Sequence, residues 1–234
     1  MSLLATTVSI VLTFGTTAIV DRRKQKAEKR EMVLMVMYDM RESLSECEHS
    51  QKNLDTFCDL QVDLVAHPEK YPDSYVQLLA HVPILDYTTT TENIFKSNIE
   101  TLSTIGNILF VETVSDFYAA RDKIKTDVVE KFQREGEKTM GSFEGMSAFD
   151  APSYAYLSEI YCQVMKWDYE ECKTLMKVSE EDLDVFSKER KSVEESIIGD
   201  ARFDMTNQII QKRNQRRIDL ENARKEGRKA IGED

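Results

Sequence analysis

Residues 3–20 read LLATTVSIVLTFGTTAIV and contain no charged side chain. As a helix rising about 1.5 Å per residue, this stretch spans about 27 Å, close to the roughly 30 Å hydrocarbon core of a bilayer. The sequence DRRKQKAEKR follows directly at residues 21–30 and is rich in Arg and Lys. An uncharged apolar run that ends in a basic cluster is typical of a single membrane anchor. We therefore predict a transmembrane anchor over residues 1–21.

Two other interpretations of this stretch stay open. A cleaved signal peptide carries its positive charges before the apolar run and a small-residue cleavage site after it. Here Met1 and Ser2 alone precede the run, and Ala18-Ile19-Val20 is a poor cleavage site. A buried or partner-bound helix could also be this apolar, and the many Ser and Thr residues lower the hydrophobicity of the run.

The basic cluster after the anchor predicts the topology. Lys and Arg favour the cytoplasmic side of a membrane, so we expect residues 21–234 in the cytoplasm and the chain in the cell membrane as a single-pass protein. A natural N-terminus longer than this chain, with a basic leader, would invert the orientation. The position of the cluster also predicts contact with the lipid bilayer surface. The residues expected to make this contact are Arg22, Arg23, Lys24 and Lys26.

A stripe of small residues runs along the predicted anchor, with one at every fourth position. The stripe consists of Ala5, Ser9, Thr13 and Thr17. Small residues at this spacing let two membrane helices approach closely, and hydroxyl groups can bond across the contact. The stripe therefore predicts a homo-oligomer through the anchor, unless the hydroxyls bond their own backbone instead.

The composition favours helix. Gly and Pro are scarce in the 234 residues (8 and 4), whereas Glu, Lys, Leu and Met are common. The net charge of −11 excludes bulk attraction to nucleic acid. With no strand-like alternation of useful length, we predict an all-α protein. An N-terminal transmembrane helix continues into a long stalk helix, and an antiparallel helical bundle follows.

The stalk is predicted over residues 22–66, because no Pro or Gly interrupts this part of the chain and Pro68 follows it. Its apolar residues recur at threes and fours, a heptad-like spacing typical of a coiled coil. They are Met37, Met40, Leu44, Cys47, Leu54, Cys58 and Val65. Gln51 and Gln61 share this seam, where a polar residue either sets register or faces a wet groove.

The remainder is predicted as a bundle over residues 67–210, completed by the stalk, and a charged C-terminal helix or tail over residues 211–234. A helix is expected from residue 108, with an inward face of Ile108, Val111, Val114, Phe117, Tyr118, Ile124, Val128 and Phe132. Gly136, Gly141 and Gly145 mark the most flexible stretch and the main internal boundary.

The C-terminal segment is mostly charged and has little to bury, so we expect it to fray or to need a partner. Its basic residues crowd one side of a helix. They are Lys212, Arg213, Arg216 and Arg217. Either they pair with acidic neighbours, or an antiparallel bundle returns them to the membrane surface, where they would contact anionic headgroups.

The sequence holds no constellation that predicts catalysis. No GxSxG, HExxH, P-loop or Rossmann pattern occurs. Glu46 and His49 form half of a di-iron motif, and the second half is absent. The four cysteines form no CxxC and predict reduced core residues in a reducing compartment. We therefore predict that the protein is not an enzyme and uses no metal or cofactor.

One group of aromatic residues is denser than the rest. We predict a ligand pocket between helices near residues 143–169, lined by Tyr154, Tyr161 and Trp167. The competing interpretation is that these rings are plain core of a small bundle. With such a pocket the protein would be a membrane-tethered ligand-binding sensor. This function is the alternative to that of a scaffold or assembly protein.

Two pieces of the chain support a resemblance. TTVSIVLTFGTTAIVDRRKQK (residues 6–26), followed by a Met-rich helix, and ETLSTIGNILFVETVSDFYAAR (residues 100–121) resemble uncharacterised bacterial single-pass membrane proteins with an N-terminal anchor and a helical domain. The resemblance covers residues 3–130 and implies no catalytic residues. With the anchor and the stalk, it predicts a membrane-anchored helical scaffold or assembly protein with an unknown protein partner.

Overall fold

The computed structural model describes residues 2–70, 75–100, 108–176 and 200–230. Side chains are described from residue 23, and in the last helix from residue 205. Within these ranges the chain is helical and has no strand, which confirms the all-α prediction. The elements are α1 (Ser2–Ala66), a 3-10 turn (Pro68–Lys70), α2 (Tyr75–Leu79), α3 (Thr90–Ser97), α4 (Ile108–Lys123), a π-helical segment (Ile124–Val129), α5 (Glu130–Thr139), α6 (Phe143–Ala148), α7 (Ala151–Met176) and α8 (Asp200–Ala230).

Helix α1 is 65 residues long and forms one wall of the bundle. Among the residues whose side chains are described, the buried face of α1 begins at Val33, and residues 23–32 are mostly exposed. All seven apolar residues of the predicted stalk seam are at most 2% exposed. They lie within the hydrophobic core clusters of this same chain, so the seam of α1 is covered by other helices of one molecule.

The long helices do not simply alternate in direction. Contacts of Tyr118 with Asp39 and of Phe132 with Phe57 show that α4, the π-helical segment and α5 run parallel to α1. Helix α7 runs opposite to α1, because Lys166 contacts Glu48 whereas the earlier Glu159 shares Lys212 with the later Asp55. Helix α8 is again parallel to α1, because Lys212 contacts Asp55 while Gly227 lies against Val65. The chain therefore reverses direction between α4 and α7 and again between α7 and α8, as predicted for an antiparallel bundle, whereas α1 and α4 run in the same direction.

The core has two main parts. The first lies between α1, α4 and α7 and contains Met37, Phe117 and Met165. The second centres on Phe57 and Phe132, whose ring centroids are 4.9 Å apart. All four cysteines are buried and unbonded, as the sequence predicted. The inward face predicted for α4 is wrong at its first residue, since Ile108 is 59% exposed at the start of the helix.

The glycine-containing stretch is mostly helical and connects α5 to α7. Gly136 lies in α5, Gly145 in α6, and the Ser142 side chain caps α6 by accepting a hydrogen bond from the Gly145 amide at 3.1 Å. Met140 and Phe149, on either side of α6, both belong to the second part of the core. The stretch is therefore a packed corner within one bundle.

Helix α8 differs from the fraying segment that its charge predicted. Leu220 and Ala223 are each 3% exposed and pack against Val65 near the end of α1. A Cβ atom on Gly227 would lie 2.2 Å from the Val65 carbonyl oxygen, so the helices approach as closely as a glycine allows. A few well-placed small and apolar residues are enough to bury the inner face of a helix whose remainder is charged.

Two predictions concern residues that the structure does not describe. The predicted helix end at Gly106-Asn107 lies outside the described residues, although α3 already ends at Ser97. The predicted helix start at Ser179 also lies outside them.

Candidate functional site

Three of the four residues predicted to touch the membrane surface lie in the exposed stretch of α1 over residues 23–31. Arg23, Lys24 and Lys26 are all exposed, and Lys24 Nζ lies 3.9 Å from Glu28 Oε1. The side chain of Arg22 lies outside the described residues. The same holds for all four members of the small-residue stripe, Ala5, Ser9, Thr13 and Thr17. In the part of the chain whose side chains are described, which begins at residue 23, no helix is long and apolar enough to cross a membrane.

The three residues of the predicted ligand pocket have different surroundings on α7. The ring of Tyr154 stacks on Phe149 at 5.8 Å and meets the edge of Phe132 at 5.4 Å. Tyr161 and Trp167 are half-buried farther along the helix, and Tyr161 packs against both parts of the core. Tyr154 is therefore surrounded by rings of this chain, and the pocket stays a prediction.

The basic stripe of α8 contacts acidic residues of the bundle. Lys212 Nζ lies 3.1 Å from both Asp55 and Glu159, and Arg216 Nη2 lies 2.8 Å from Asp55. Arg217 contacts Asp150 at 3.5 Å. Because α8 runs parallel to α1, it carries these residues away from the N-terminal end of α1. This geometry supports the pairing interpretation over contact with headgroups.

A polar cluster surrounds Arg121 in α4, whose side chain is fully buried. Helix α1 contributes Asp39 and Ser43, and α3 contributes Glu92. Tyr87, from the segment before α3, lies on the same guanidinium group. We call these residues, together with Tyr118 and Asp122 of α4, the Arg121 network.

The guanidinium group is held by charge and by hydrogen bonds. Arg121 Nη2 donates to Glu92 Oε2, and Nη1 donates to Ser43 Oγ at 3.2 Å. Nη1 also lies 3.6 Å from Asp39 Oδ2. Glu92 in turn accepts a hydrogen bond from Lys96 one turn later in α3. A buried arginine needs such partners, because an unpaired buried charge is very costly.

Two tyrosine rings cover the guanidinium group. Arg121 Cζ lies 3.9 Å from the centroid of Tyr87 and 4.6 Å from that of Tyr118. Tyr87 donates a hydrogen bond to Asp122 Oδ1 at 2.6 Å, and Tyr118 donates to Asp39 Oδ2 at 2.9 Å. Burial and the neighbouring carboxylates raise the pKa of both phenols, so both hydroxyls remain donors at neutral pH.

Burial also raises the pKa of the Asp39 carboxyl above its ordinary value of 3.8. The hydrogen bond from Tyr118 and the charge of Arg121 act in the opposite direction, but they are weaker than the cost of burial. Because its pKa is raised, Asp39 takes up a proton more readily on acidification than an ordinary aspartate does.

The network joins three separate parts of the chain at one buried point, namely α1, the segment from Tyr87 through α3, and α4. The guanidinium group has no solvent exposure, and the cluster places no nucleophile beside a general base. Among the described residues no group of His, Cys, Asp and Glu could hold a metal ion. The arrangement is suited to fixing the position of α3 against the bundle.

The sequence contained one indication of this network, which is a charged residue on the otherwise apolar face of α4. Arg121 falls between Phe117 and Ile124 on the inward face of α4, where the helical period requires a buried residue. The acceptors Asp39 and Glu92 are far away in the sequence, so periodicity alone could not pair them with Arg121. The π-helical segment that follows, Ile124–Val129, was also not predicted.

With this geometry in place, comparison with known proteins adds no identification. No protein-family model, curated protein or solved structure matches this chain.

Proposed function

We propose that this chain is a single-pass, membrane-anchored helical scaffold or assembly protein without catalytic activity of its own. Residues 3–20 would span the cell membrane, and the remainder would fold in the cytoplasm. The resemblance to bacterial single-pass proteins with a helical domain is part of this proposal. The proposed partners are the lipid bilayer, a second copy of this chain and an unknown protein.

The observation that carries the proposal is the continuity of α1. The helix begins at Ser2, includes the uncharged stretch, and runs without interruption to Ala66. Its later part forms a wall of the core from Val33 onward. A rigid connection of this kind would fix the orientation of the bundle relative to the anchor, which suits a protein that presents a surface at a membrane.

The Arg121 network supports a structural role. Its charges lie inside the bundle, and its hydrogen bonds join α1, α3 and α4 to one another. A buried site with paired charges fixes geometry and leaves no space for a substrate at the guanidinium group. This feature, with the lack of a catalytic motif in the sequence, favours a scaffold over an enzyme.

Extraction of membranes with alkaline carbonate tests the anchor. We expect the wild-type chain to stay in the washed pellet, and a variant with Ile10→Lys and Leu12→Lys to move to the supernatant, because charges in a hydrocarbon core are costly. Ile218→Lys is the matched control, since Ile218 is 51% exposed on α8 and should not affect the location. Release of the wild-type chain by carbonate would contradict the proposal.

Protease accessibility tests the orientation, and crosslinking tests the assembly. We expect residues 21–234 to be protected in intact cells and cleaved in inverted membrane vesicles.

Crosslinking in native membranes should give a dimer or a higher oligomer that is lost when Ser9 and Thr13 are both replaced by Leu, because bulky residues block close helix approach. A strict monomer would remove the assembly part of the proposal and leave the anchor untouched.

A further inference from the structure

The end of the bundle nearest the predicted anchor carries exposed apolar side chains. Tyr118 of α4 is level with Asp39 of α1, where their side chains meet at 2.9 Å. Both helices run in the same direction and rise about 1.5 Å per residue, so Ile108 is level with about residue 29 of α1. We call this region, residues 23–33 of α1 and 108–110 of α4, the proximal end.

Three large aliphatic residues are exposed toward this end. Ile108 and Leu109, the first residues of α4, are 59% and 50% exposed. Ile99 is 37% exposed and follows α3. Helix α3 runs toward the same end, since Glu92 contacts Arg121 while the later Phe95 contacts Tyr118.

The proximal end also carries a basic cluster, although the protein as a whole is acidic. Residues 23–31 carry five basic and two acidic side chains, a net charge of +3, whereas the whole chain has a net charge of −11. Aliphatic residues beside a basic cluster are the combination by which amphipathic surfaces bind anionic lipid headgroups.

The distance from the predicted anchor fits a lipid surface. From Val20 to the level of Ile108 the helix rises about 13 Å, whereas the headgroup layer of a bilayer is roughly 5–8 Å thick. Neighbouring helices in a bundle lie about 10 Å apart, so α4 is offset sideways from α1 by a distance of this order. A tilt of α1 toward the α4 side, within the 0–40° range of membrane helices, would lower Ile108 and Leu109 to the headgroups.

We propose that the proximal end of the bundle docks onto the anionic surface of the same membrane that holds the anchor, with Ile108 and Leu109 inserted among the lipid headgroups and the basic residues of α1 beside them. The inference rests on the proposed function, because the predicted anchor supplies the position. Docking gives the bundle one defined face toward the membrane and leaves its distal end free for partners.

The test uses the full chain in lipid vesicles with an environment-sensitive dye at one introduced cysteine. Leu109→Cys reports the proximal end, and Ile218→Cys is the matched control, an exposed isoleucine level with the distal part of α1. The native cysteines are buried, so the dye should react at the introduced position. Vesicles contain either phosphatidylcholine alone or one-third phosphatidylglycerol, together with a lipid-bound quencher.

We expect the dye at position 109 to shift to the blue and to be quenched in phosphatidylglycerol vesicles, and to respond less in phosphatidylcholine. The dye at position 218 should respond in neither. Replacing Arg23, Lys24 and Lys26 with Gln should weaken docking by about fivefold per charge. Equal quenching at position 109 in both vesicles would overturn the assignment to anionic lipid. A shift that occurs without vesicles would indicate contact between protein copies and would also overturn it.

Flotation of the same samples on a density gradient separates the two hypotheses. If the chain fails to float with any vesicle, the proposed anchor is wrong. If the chain floats but the dye at position 109 stays in water, the anchor is supported and the docking proposal is overturned.

Discussion

At the scale of single residues, the Arg121 network separates two carboxylates by what they contribute. Glu92 is 3% exposed and makes the direct hydrogen bond to the guanidinium group. Asp39 lies farther from the charge, at 3.6 Å, and its pKa is raised by burial. The first carboxylate mainly neutralises the buried arginine, whereas the second carries a burial cost that its partners do not fully offset.

The variant Glu92→Gln should therefore be strongly destabilising. It leaves Arg121 buried without its closest counter-charge, and breaking a buried pair in this way costs about 3 kcal/mol or more. Urea unfolding of the full chain in mild detergent, followed by the fluorescence of Trp167, would measure the change. Asp122→Asn is the control, because that side chain is 50% exposed and should cost less than 1 kcal/mol, a typical value for exposed pairs. Equal effects of both variants would contradict this division.

The free energy of unfolding of the Asp39→Asn variant should increase relative to that of the wild type as the pH rises. A carboxyl whose pKa is raised in the folded state contributes most to stability below its ordinary value of 3.8, and this contribution is lost as the pH rises through the folded value. Asparagine does not titrate and can still accept the hydrogen bond from Tyr118. Unfolding free energies of both proteins at pH 4, 5, 6 and 7 would measure the trend. A difference that is constant with pH would contradict it.

Gln61 is a second buried polar residue with a defined role. Its Nε2 donates to the carbonyl oxygens of Met146 and Phe149 at 2.9 and 2.8 Å, which fixes α6 against α1. Gln61→Leu removes both donors and should cost about 2 kcal/mol. Gln51→Leu is the matched control, since Gln51 donates within its own helix to Asp55. Urea unfolding should place the control near wild type, and the reverse order would contradict the argument.

At the scale of elements, the docking of α8 depends on one close approach. Alanine is a better helix former than glycine by about 1 kcal/mol, so Gly227→Ala would stabilise an undocked helix. In the docked helix the new Cβ would meet the Val65 carbonyl oxygen, so we expect destabilisation instead. Hydrogen exchange of the α8 amides shows whether the docked helix is stabilised or destabilised. Gly141→Ala is the control, because its Cβ would have no neighbour within 4 Å. Faster exchange of α8 in the control as well would show that the contact with Val65 is not the cause.

The sequence predicted those elements whose burial follows a local period. The seam from Met37 to Val65 was found because each residue repeats at threes and fours, and all its members are buried. Helix α8 was misjudged because Leu220 and Ala223 are two small contributions within a charged stretch. Their burial depends on the end of α1, which lies more than 150 residues earlier in the sequence.

The candidate site could be predicted less well than the elements. The helical period of α4 places Arg121 on its buried face, so its burial could be predicted. The carboxylates that pair with it could not be predicted, because they lie close to it only in the folded chain. Glu92 and Asp39 come from other helices, and Tyr87 comes from a segment with no regular structure. Networks assembled from distant segments are therefore seen in the fold and not in local sequence patterns.

At the scale of the whole molecule, one helix connects the predicted anchor to the bundle. The first part of α1 is the predicted anchor, and the later part is packed between α7, α4 and α8. Residues 23–31, mostly exposed, join the two parts without a loop. If this connection is rigid, any tilt or rotation of the anchor is transmitted to the bundle.

Distance measurements between spin labels test this rigidity. Labels at Lys26→Cys and Asp59→Cys, both on exposed positions of α1, should give a single narrow distance near 50 Å for an unbroken helix in vesicles. Glu31→Pro, which removes a helical hydrogen bond and kinks the chain, should broaden and shorten this distance. The control pair Glu46→Cys and Asp59→Cys, both within the bundle, should stay near 20 Å in either background. A broad distribution for the long pair in the wild-type sequence would show that the bundle swings freely, and the scaffold proposal would then lose its fixed orientation.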